Sequence, residues 1–147
     1  MDHSDPSTMD LLAFGRYVAG ASAAELGRLV QGDGRTALLD RLFHSMPDVF
    51  RADRAGNLKA VIHWHVGDRV DGGADHYEMV IADGRCVVSP APTGRPDLTL
   101  TLGAVSYLQL VTANAHAVAL VVRGRLRTRG DLALTAKFPS LFDPPKP

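Results

Sequence analysis

Residues 58–66, LKAVIHWHV, carry the pattern that decides the fold, because apolar residues recur there at every second position. Successive side chains of a strand point to opposite faces of a sheet, so this period of two predicts a strand with one apolar face. The residues predicted to face the core are Leu58, Ala60, Ile62, Trp64 and Val66. The other face carries Lys59 and two histidines, and it is predicted to lie outward.

The segments that follow predict partner strands for this first strand. HYEMVIA at 76–82 alternates in the same way, and RCVVS at 85–89 comes after the dipeptide Asp83-Gly84. Asp-Gly favours a type I′ turn, since both central residues of that turn need positive φ. The three segments therefore predict an antiparallel meander. The residues of its second strand that we expect in the core are Tyr77, Met79 and Ile81.

Helical periodicity precedes the meander, and mixed elements follow it. After a polar lead-in at residues 1–9, apolar residues recur at helical spacing up to Val30, and Ser22 with Glu25 forms a capping box. A second amphipathic helix is predicted over 37–46. Beyond the meander, DLTLTL predicts a fourth strand and AVSYLQLVTANA a helix. AHAVALVV predicts either a short helix or the segment that leads into the next strand. RGRLRTRG predicts a fifth strand, and DLALTAKF a closing helix. This order predicts an α+β fold.

Length and composition restrict the class of protein. The 147 residues suit one compact domain, and 16 basic residues balance 16 acidic ones, so no net charge draws the chain to nucleic acid. A single cysteine, Cys86, excludes an internal disulfide and a cysteine-built zinc site. No apolar run reaches the roughly 20 residues of a membrane-spanning helix. With the polar, acidic start of the chain, these features predict a cytoplasmic protein.

Three segments resemble the sterol carrier protein type 2 family. PDLTL at 96–100, a helix with Leu108, and GRLRTRGDLAL at 124–134 are similar to the closing signature of that family, with arginines where its strand carries lysines. FHSMPDVF at 43–50 and the tryptophan in the first strand fit the same pattern. The resemblance spans roughly 37–143. Pro139 departs from it, because it interrupts the last helix.

The resemblance implies a five-stranded, mainly antiparallel sheet with helices covering one face and an apolar tunnel between the two layers. Members of this family bind sterols, fatty acids, acyl-CoA or other lipids there without a cofactor. Residues 36–147 would form the lipid-binding domain, and residues 1–35 would form an N-terminal helical extension packed on it. The bias toward arginine and alanine over lysine suggests a GC-rich bacterial source.

We predict that a hydrophobic small molecule, either fatty acyl, sterol-like or polyketide-like, contacts the apolar residues of this tunnel. Those residues are Ile62, Trp64, Tyr77, Met79, Leu100, Tyr107, Leu108, Val111, Leu120 and Phe138. A tightly packed core would use the same residues, so a purely structural domain stays open as an alternative. A small cyclase or isomerase of a secondary-metabolite pathway is a further alternative. It would need Tyr77 or a histidine to point into the pocket.

The outward face of the first two strands collects polar side chains, namely His63, His65, His76 and Glu78. Imidazoles and a carboxylate could hold a transition metal, but the spacing fits no metal motif, and an antiparallel sheet commonly has one polar, solvated face. We therefore predict no metal site. A His65–Glu78 pair could exchange protons, yet it would face away from the tunnel. No catalytic residue is predicted.

A stripe of basic residues accompanies the fifth strand. Its members are Arg123, Arg125, Arg127 and Arg129, with Arg85 and Arg95 as candidate neighbours. They could bind anionic headgroups or an acyl-CoA phosphate, which would allow transient membrane contact, or they could form a solvated face that protects an edge strand from aggregation. The sequence does not decide between a binding surface and a solvated face, and it does not indicate the oligomeric state.

Overall fold

The structure is a computed structural model and describes residues 9–147; of the predicted lead-in, residues 1–8 lie outside the described part. The helices are α1 (Leu11–Gly20), α2 (Ala23–Gln31), α3 (Arg35–Ser45), α4 (Ala52–Ala55), α5 (Ala104–Val111), α6 (Ala117–Val122) and α7 (Leu132–Lys137). The strands are β1 (Ala60–Val66), β2 (Asp75–Ala82), β3 (Arg85–Ser89), β4 (Leu98–Leu102) and β5 (Leu126–Gly130). Two 3₁₀ turns, Met46–Val49 and Phe138–Leu141, complete the regular structure.

The five strands form one sheet in the order β3-β2-β1-β4-β5. All neighbouring pairs are antiparallel except β1 with β4, which run parallel. The predicted α+β class with a five-stranded, mainly antiparallel sheet is confirmed. Trp64 of β1 lies opposite Tyr77 of β2 and Leu100 of β4, so these three side chains share the inner face. The core-facing sets predicted for β1, from Ala60 onward, and for β2 are buried.

Two local predictions are confirmed by backbone geometry. Asp83 and Gly84 have φ of 55° and 72°, as a type I′ turn between β2 and β3 requires. At the start of α2, the Ser22 side chain accepts the backbone N–H of Glu25, and the Glu25 carboxylate accepts the backbone N–H of Ser22. The Asp-Gly dipeptide and the Ser22–Glu25 capping box therefore correctly predicted a hairpin turn and the start of a helix.

The helices pack against the inner face of the sheet. Phe43 of α3 packs on Trp64 of β1, Tyr77 of β2 and Tyr107 of α5, and α1 and α2 pack against α5. Phe14 of α1 and Leu26 of α2 are as buried as the sheet residues and belong to the same apolar core. The division predicted at residue 35 stays a prediction.

Buried Arg35 joins the N-terminal helices to the sheet. Its guanidinium donates to the Asp75 carboxylate at 2.8 Å and to the carbonyls of Val66 and Gly67 at 3.0 and 2.7 Å. Another N–H reaches the carbonyl of Val30 at 3.1 Å. A buried arginine needs such partners, because an uncompensated buried charge is costly. The sequence pattern gave no sign of this contact.

Three predicted boundaries are wrong. α5 ends at Val111 rather than near residue 115, because Ala113 takes φ of 63° and the Thr112 hydroxyl donates to the carbonyl of Leu108 at 2.6 Å. β5 begins at Leu126, so Arg123 and Arg125 precede the strand instead of belonging to a stripe on it. β1 begins at Ala60, two residues later than predicted. The 117–122 stretch, left open above, is a helix.

Candidate functional site

An aromatic cluster closes the space between α3 and the sheet. The ring of Phe43 stacks between Tyr77 and Tyr107, with centroid distances of 3.9 and 4.4 Å. Trp64 meets Phe43 and Tyr107 edge-on at 5.4 and 5.6 Å, and it meets Phe138 edge-on at 5.4 Å. These arrangements suit the quadrupoles of the rings. The cluster fills this half of the interior.

Tyr77 is held at the edge of the cluster. Its hydroxyl donates a hydrogen bond to the carboxylate of Asp40 on α3. Burial, and then the Asp40 carboxylate, raise the pKa of Tyr77 far above its ordinary value, so the phenol stays protonated at neutral pH. Tyr77 borders neither of the cavities described next. The alternative in which Tyr77 presents a titratable group to a pocket stays a prediction, and it gains no support from these two cavities.

An apolar cavity of about 280 Å³ lies beside the cluster. It is bounded by the 3₁₀ turn after α3, by β1, by α5 with the loop that follows it, and by the C-terminal segment. The residues that line it are Met46, Val49, Arg54, Trp64, Tyr107, Leu110, Val111, Ala113, Ala115, His116, Ala117, Phe138, Pro139, Phe142, Asp143, Pro144 and Lys146. We call it the first cavity.

A second cavity of about 210 Å³ adjoins it, between α6 and α7 and above β4 and β5. Its lining is Leu100, Leu110, Ala117, Val118, Val121, Val122, Leu126, Thr128, Thr135, Ala136, Phe138 and Pro139. Four residues line both cavities: Leu110, Ala117, Phe138 and Pro139. Each cavity is smaller than the roughly 300–1,000 Å³ of typical small-molecule sites, but together they fall within that range.

The wall of the first cavity contains an unpaired donor. Trp64 is fully buried, and its indole Nε1–H has no hydrogen-bond acceptor within residues 9–147. Leaving a buried donor unpaired costs roughly 1–3 kcal/mol. Nearby, the buried Tyr107 hydroxyl donates to the sulfur of Met46 at 3.5 Å, a weak acceptor. Burial raises the pKa of Tyr107 well above its ordinary value, so it too is a neutral donor.

Polar side chains form the solvent-exposed part of the lining of the first cavity, which we call its opening. Arg54, His116 and Lys146 line it and are exposed to solvent. The guanidinium of Arg54 donates to the carbonyl of Ser140 at 3.1 Å. Asp143 also lines the opening, and Arg51 binds its carboxylate at 3.1 Å. The opening is therefore polar and predominantly cationic, and the interior is apolar.

The predicted ligand-contacting residues divide into two groups. Trp64, Tyr107, Val111 and Phe138 line the first cavity, and Leu100 joins Phe138 in the second. The remaining predicted residues lie in the packed core and border neither cavity: Ile62, Tyr77, Met79, Leu108 and Leu120. Contact of any of them with a ligand stays a prediction.

About half of the first cavity's lining that sequence reasoning missed comes from irregular segments. Residues 113–116 follow α5, and residues 142–146 fold back over the first cavity. A hydrophobic period identifies helix and strand faces, but it carries no information about where a loop returns to the molecule. A signal was available in Phe142, an aromatic residue just before the prolines, which pairs with Phe50 in an isolated bridge.

The outer face of the sheet differs from its expected solvated state. Glu78 is only 6% exposed, because residues 90–97 cover it. Its carboxylate accepts the backbone N–H of Gly94 at 2.7 Å and of Thr93 at 3.2 Å, and it contacts Nε2 of His63 at 3.0 Å. The Gly94 N–H, and then His63, lower the pKa of Glu78 below its usual value. Glu78 therefore anchors this loop.

The four polar residues of that face do not assemble into one ligand set. His63 contacts Glu78, whereas His65 lies against His76 with ring centroids 4.3 Å apart. Burial, followed by the nearby His76 and His63, lowers the pKa of His65. Across residues 9–147, no group of three or more His, Cys, Asp or Glu side chains is placed to hold a metal ion. Cys86 is buried, and burial raises the pKa of its thiol to about 12.

The fold and the paired cavities define a class of small α+β domains that enclose an apolar space between a sheet and its helices. The sequence model of the SCP-2 sterol transfer family matches residues 39–143, and the chain belongs to that family. Membership supports lipid or sterol binding and transfer in general. No curated protein sequence matches the chain. Within the described residues, no helix is long and apolar enough to cross a membrane.

Solved structures share the fold at low sequence identity. Apo sterol carrier protein 2 from Yarrowia lipolytica has a TM-score of 0.56 and 20% identity, with 77% of this chain and 94% of that chain covered. Palmitated SCP2L2 from Aedes aegypti has a TM-score of 0.54 and 16% identity, with 69% of this chain and 87% of that chain covered. The sec-alkylsulfatase Pisa1 from Pseudomonas sp. has a TM-score of 0.60 and 18% identity. The match covers 75% of this chain but only 17% of that enzyme.

Proposed function

We propose that this protein binds an amphiphilic lipid, of the fatty acyl, sterol-like or polyketide-like class, in the two adjoining cavities. The observation that carries this proposal is the fully buried Trp64 in the wall of an apolar cavity, with an indole N–H that lacks an acceptor. A ligand oxygen that reached this donor would pair it and remove its cost. A filled structural core would gain nothing from such a donor.

Apolar burial would supply most of the affinity. Each 100 Å² of ligand hydrocarbon removed from water contributes about 2.5 kcal/mol. Phe138 lines both cavities, so a change in its rotamer would connect them into one tunnel for a longer hydrocarbon chain. The cationic opening at Arg54 and Lys146 would favour a ligand with an acidic group at one end.

The cellular setting is also part of the proposal. A carrier exchanges its lipid with a bilayer through transient contact, and we place this exchange in the cytoplasm of a bacterium. A chain with one buried cysteine suits a reducing compartment, and 13 arginines against three lysines suit a GC-rich genome. Residues 1–35 would act as a helical extension that closes one side of the lipid-binding domain.

The test is native mass spectrometry of the purified protein with and without added palmitic acid. Ala117 lines both cavities at the start of α6, so Ala117→Phe should fill the shared wall and abolish the palmitate adduct. Ala119→Phe is the matched control, since Ala119 lies on the same helix and lines neither cavity. We expect a one-to-one adduct for the wild type and for Ala119→Phe. Equal uptake by all three proteins, or no uptake, would overturn the proposal.

A further inference from the structure

Helix α6 is apolar on every side, yet three of its six residues are exposed to solvent. Its six residues, AVALVV, include no polar side chain, and only Leu120 is buried. Val118 is 67% exposed and Val122 80% exposed, with Val121 exposed between them. A helix that is apolar all round normally lies inside a protein or against a membrane. Among residues 9–147, no element covers these valines.

Four arginines follow this helix within seven residues, and no acidic residue interrupts them. They are Arg123, Arg125, Arg127 and Arg129, and all are exposed. None has a carboxylate within salt-bridge distance in the part of the chain that the structure describes. The chain as a whole is neutral, so this is a local concentration of positive charge. β5 is an edge strand, which leaves its outer side open.

We propose that the exposed valines of α6 and the two arginines that directly follow it, Arg123 and Arg125, form a docking surface for an anionic lipid bilayer. Arg127 and Arg129 alternate with Leu126 and Thr128, which face the second cavity, and therefore lie on the opposite face of the sheet, outside this surface. This rests on the proposed function, because a bilayer would be the source and destination of the carried lipid. The valines would insert among acyl chains, and the guanidinium groups would pair with lipid phosphates. Val118, Val121 and Val122 also line the second cavity, so the docked face would be the face through which a lipid enters.

The chemistry of this surface favours a bilayer over other occupants. Residues 117–130 contain no aromatic side chain on which nucleic-acid bases could stack. A two-fold contact between copies would place like charges against each other, because such an interface uses the same patch twice. Aliphatic side chains beside unpaired arginines instead match the boundary between acyl chains and anionic headgroups.

The test is co-sedimentation of the full chain with vesicles. Mixed phosphatidylglycerol–phosphatidylcholine vesicles should bind the protein, and pure phosphatidylcholine vesicles should bind it far less. Each arginine near an anionic surface contributes about five-fold in binding, so Arg123→Gln with Arg125→Gln should weaken it about 25-fold. Arg16→Gln with Arg28→Gln is the matched control, because it removes two exposed arginines from α1 and α2. The control should bind as the wild type does.

The apolar part of the surface needs a separate variant. Val118→Ser with Val122→Ser should reduce binding at all salt concentrations, whereas raised salt should weaken only the arginine contribution. Three results would overturn the docking surface. The first is an equal loss of vesicle binding in the two double arginine variants, and the second is vesicle binding that does not depend on phosphatidylglycerol. The third is an oligonucleotide that binds the protein as tightly as the vesicles do at the same salt concentration. Vesicle binding without palmitate uptake would overturn the carrier function alone, and uptake without vesicle binding would overturn the docking surface alone.

Discussion

The two halves of the helical layer rest on the same sheet but are packed differently. Above β1 and β2, α3 places Phe43 between Tyr77 and Tyr107, and the interior is filled. Above β4 and β5, α6 and α7 have six residues each, and the second cavity remains beneath them, while the first cavity lies between the two halves, beside β1 and α5. The filled half contains the stacked aromatic contacts, the other half contains the exposed valines of α6, and Trp64 with its unpaired N–H lies at the border between them, against the first cavity.

This difference separates the residues that stabilise the domain from those available for a ligand. A long helix with a continuous apolar face can cover two strands, whereas short helices joined by loops cannot fill the space above two more. Pro139 contributes, because proline cannot continue a helix, and α7 ends at Lys137. The departure from the family pattern noted in the sequence therefore lies in the wall shared by both cavities.

Removing the ring at the centre of the filled half should have the largest effect. Phe43→Ala deletes two stacked contacts and one edge contact, so we expect a loss of about 3–5 kcal/mol in the free energy of unfolding. Urea denaturation followed by circular dichroism measures it. A loss below that of Phe138→Ala would reverse the contrast between the halves.

Phe138→Ala should cost less, about 2 kcal/mol, because the ring already borders empty space and loses fewer contacts. The same change should connect the cavities and raise the affinity for long-chain over short-chain fatty acids. Competition between fatty acids of two chain lengths, monitored by native mass spectrometry, measures this preference. An unchanged preference would mean that the cavities do not form one site.

Helix caps offer a matched pair across the two halves. Asp131 accepts the backbone N–H of Leu134 at 2.9 Å and begins α7, while Ser22 begins α2. Asp131→Ala and Ser22→Ala should each cost about 1 kcal/mol in unfolding free energy. Only Asp131→Ala should also weaken palmitate binding, since α7 forms a cavity wall. Equal effects of the two variants on palmitate affinity would contradict this assignment.

The outer face should show the smallest effect, and it should depend on pH. Because the pKa of His65 is lower in the folded chain than the ordinary 6.5, protonation favours the unfolded chain, and stability falls as the pH drops below about 6.5. When the pH is lowered from about 7.5 to 5.5, the free energy of unfolding should fall less in His65→Gln than in the wild type. This pH range lies above the range in which Glu78 titrates, because the pKa of Glu78 is lowered. Urea denaturation at each pH measures the free energy of unfolding, and the same pH dependence in His65→Gln as in the wild type would contradict this account.

Sequence periodicity was sufficient for the sheet but not for the cavity. Alternation placed Ile62, Trp64 and Tyr77 on the inner face, since a strand leaves only two directions for a side chain. It could not distinguish Trp64, which borders empty space, from Ile62, which is fully packed, because both occupy the same face. That distinction depends on Phe142 and the loop after α5, whose positions follow from long-range packing.

The covering of the outer face was also beyond the reach of a local pattern. The alternating pattern of β2 predicts that Glu78 is exposed to solvent. Instead, a loop more than a dozen residues later in the chain folds back, and two of its backbone N–H groups donate to the Glu78 carboxylate. Alternation reports which face a side chain occupies and not what covers that face. The loop's prolines and glycine marked it as irregular without indicating its partner.

The most direct test of lipid binding uses Trp64, the sole tryptophan of the chain, which borders the first cavity. Its fluorescence can be titrated with a brominated long-chain fatty acid, since bromine quenches an indole only at close range. We predict saturable, one-to-one quenching that unbrominated palmitate competes away and that Ala117→Phe abolishes. Fluorescence that is unchanged at saturating fatty acid would contradict a ligand in this cavity.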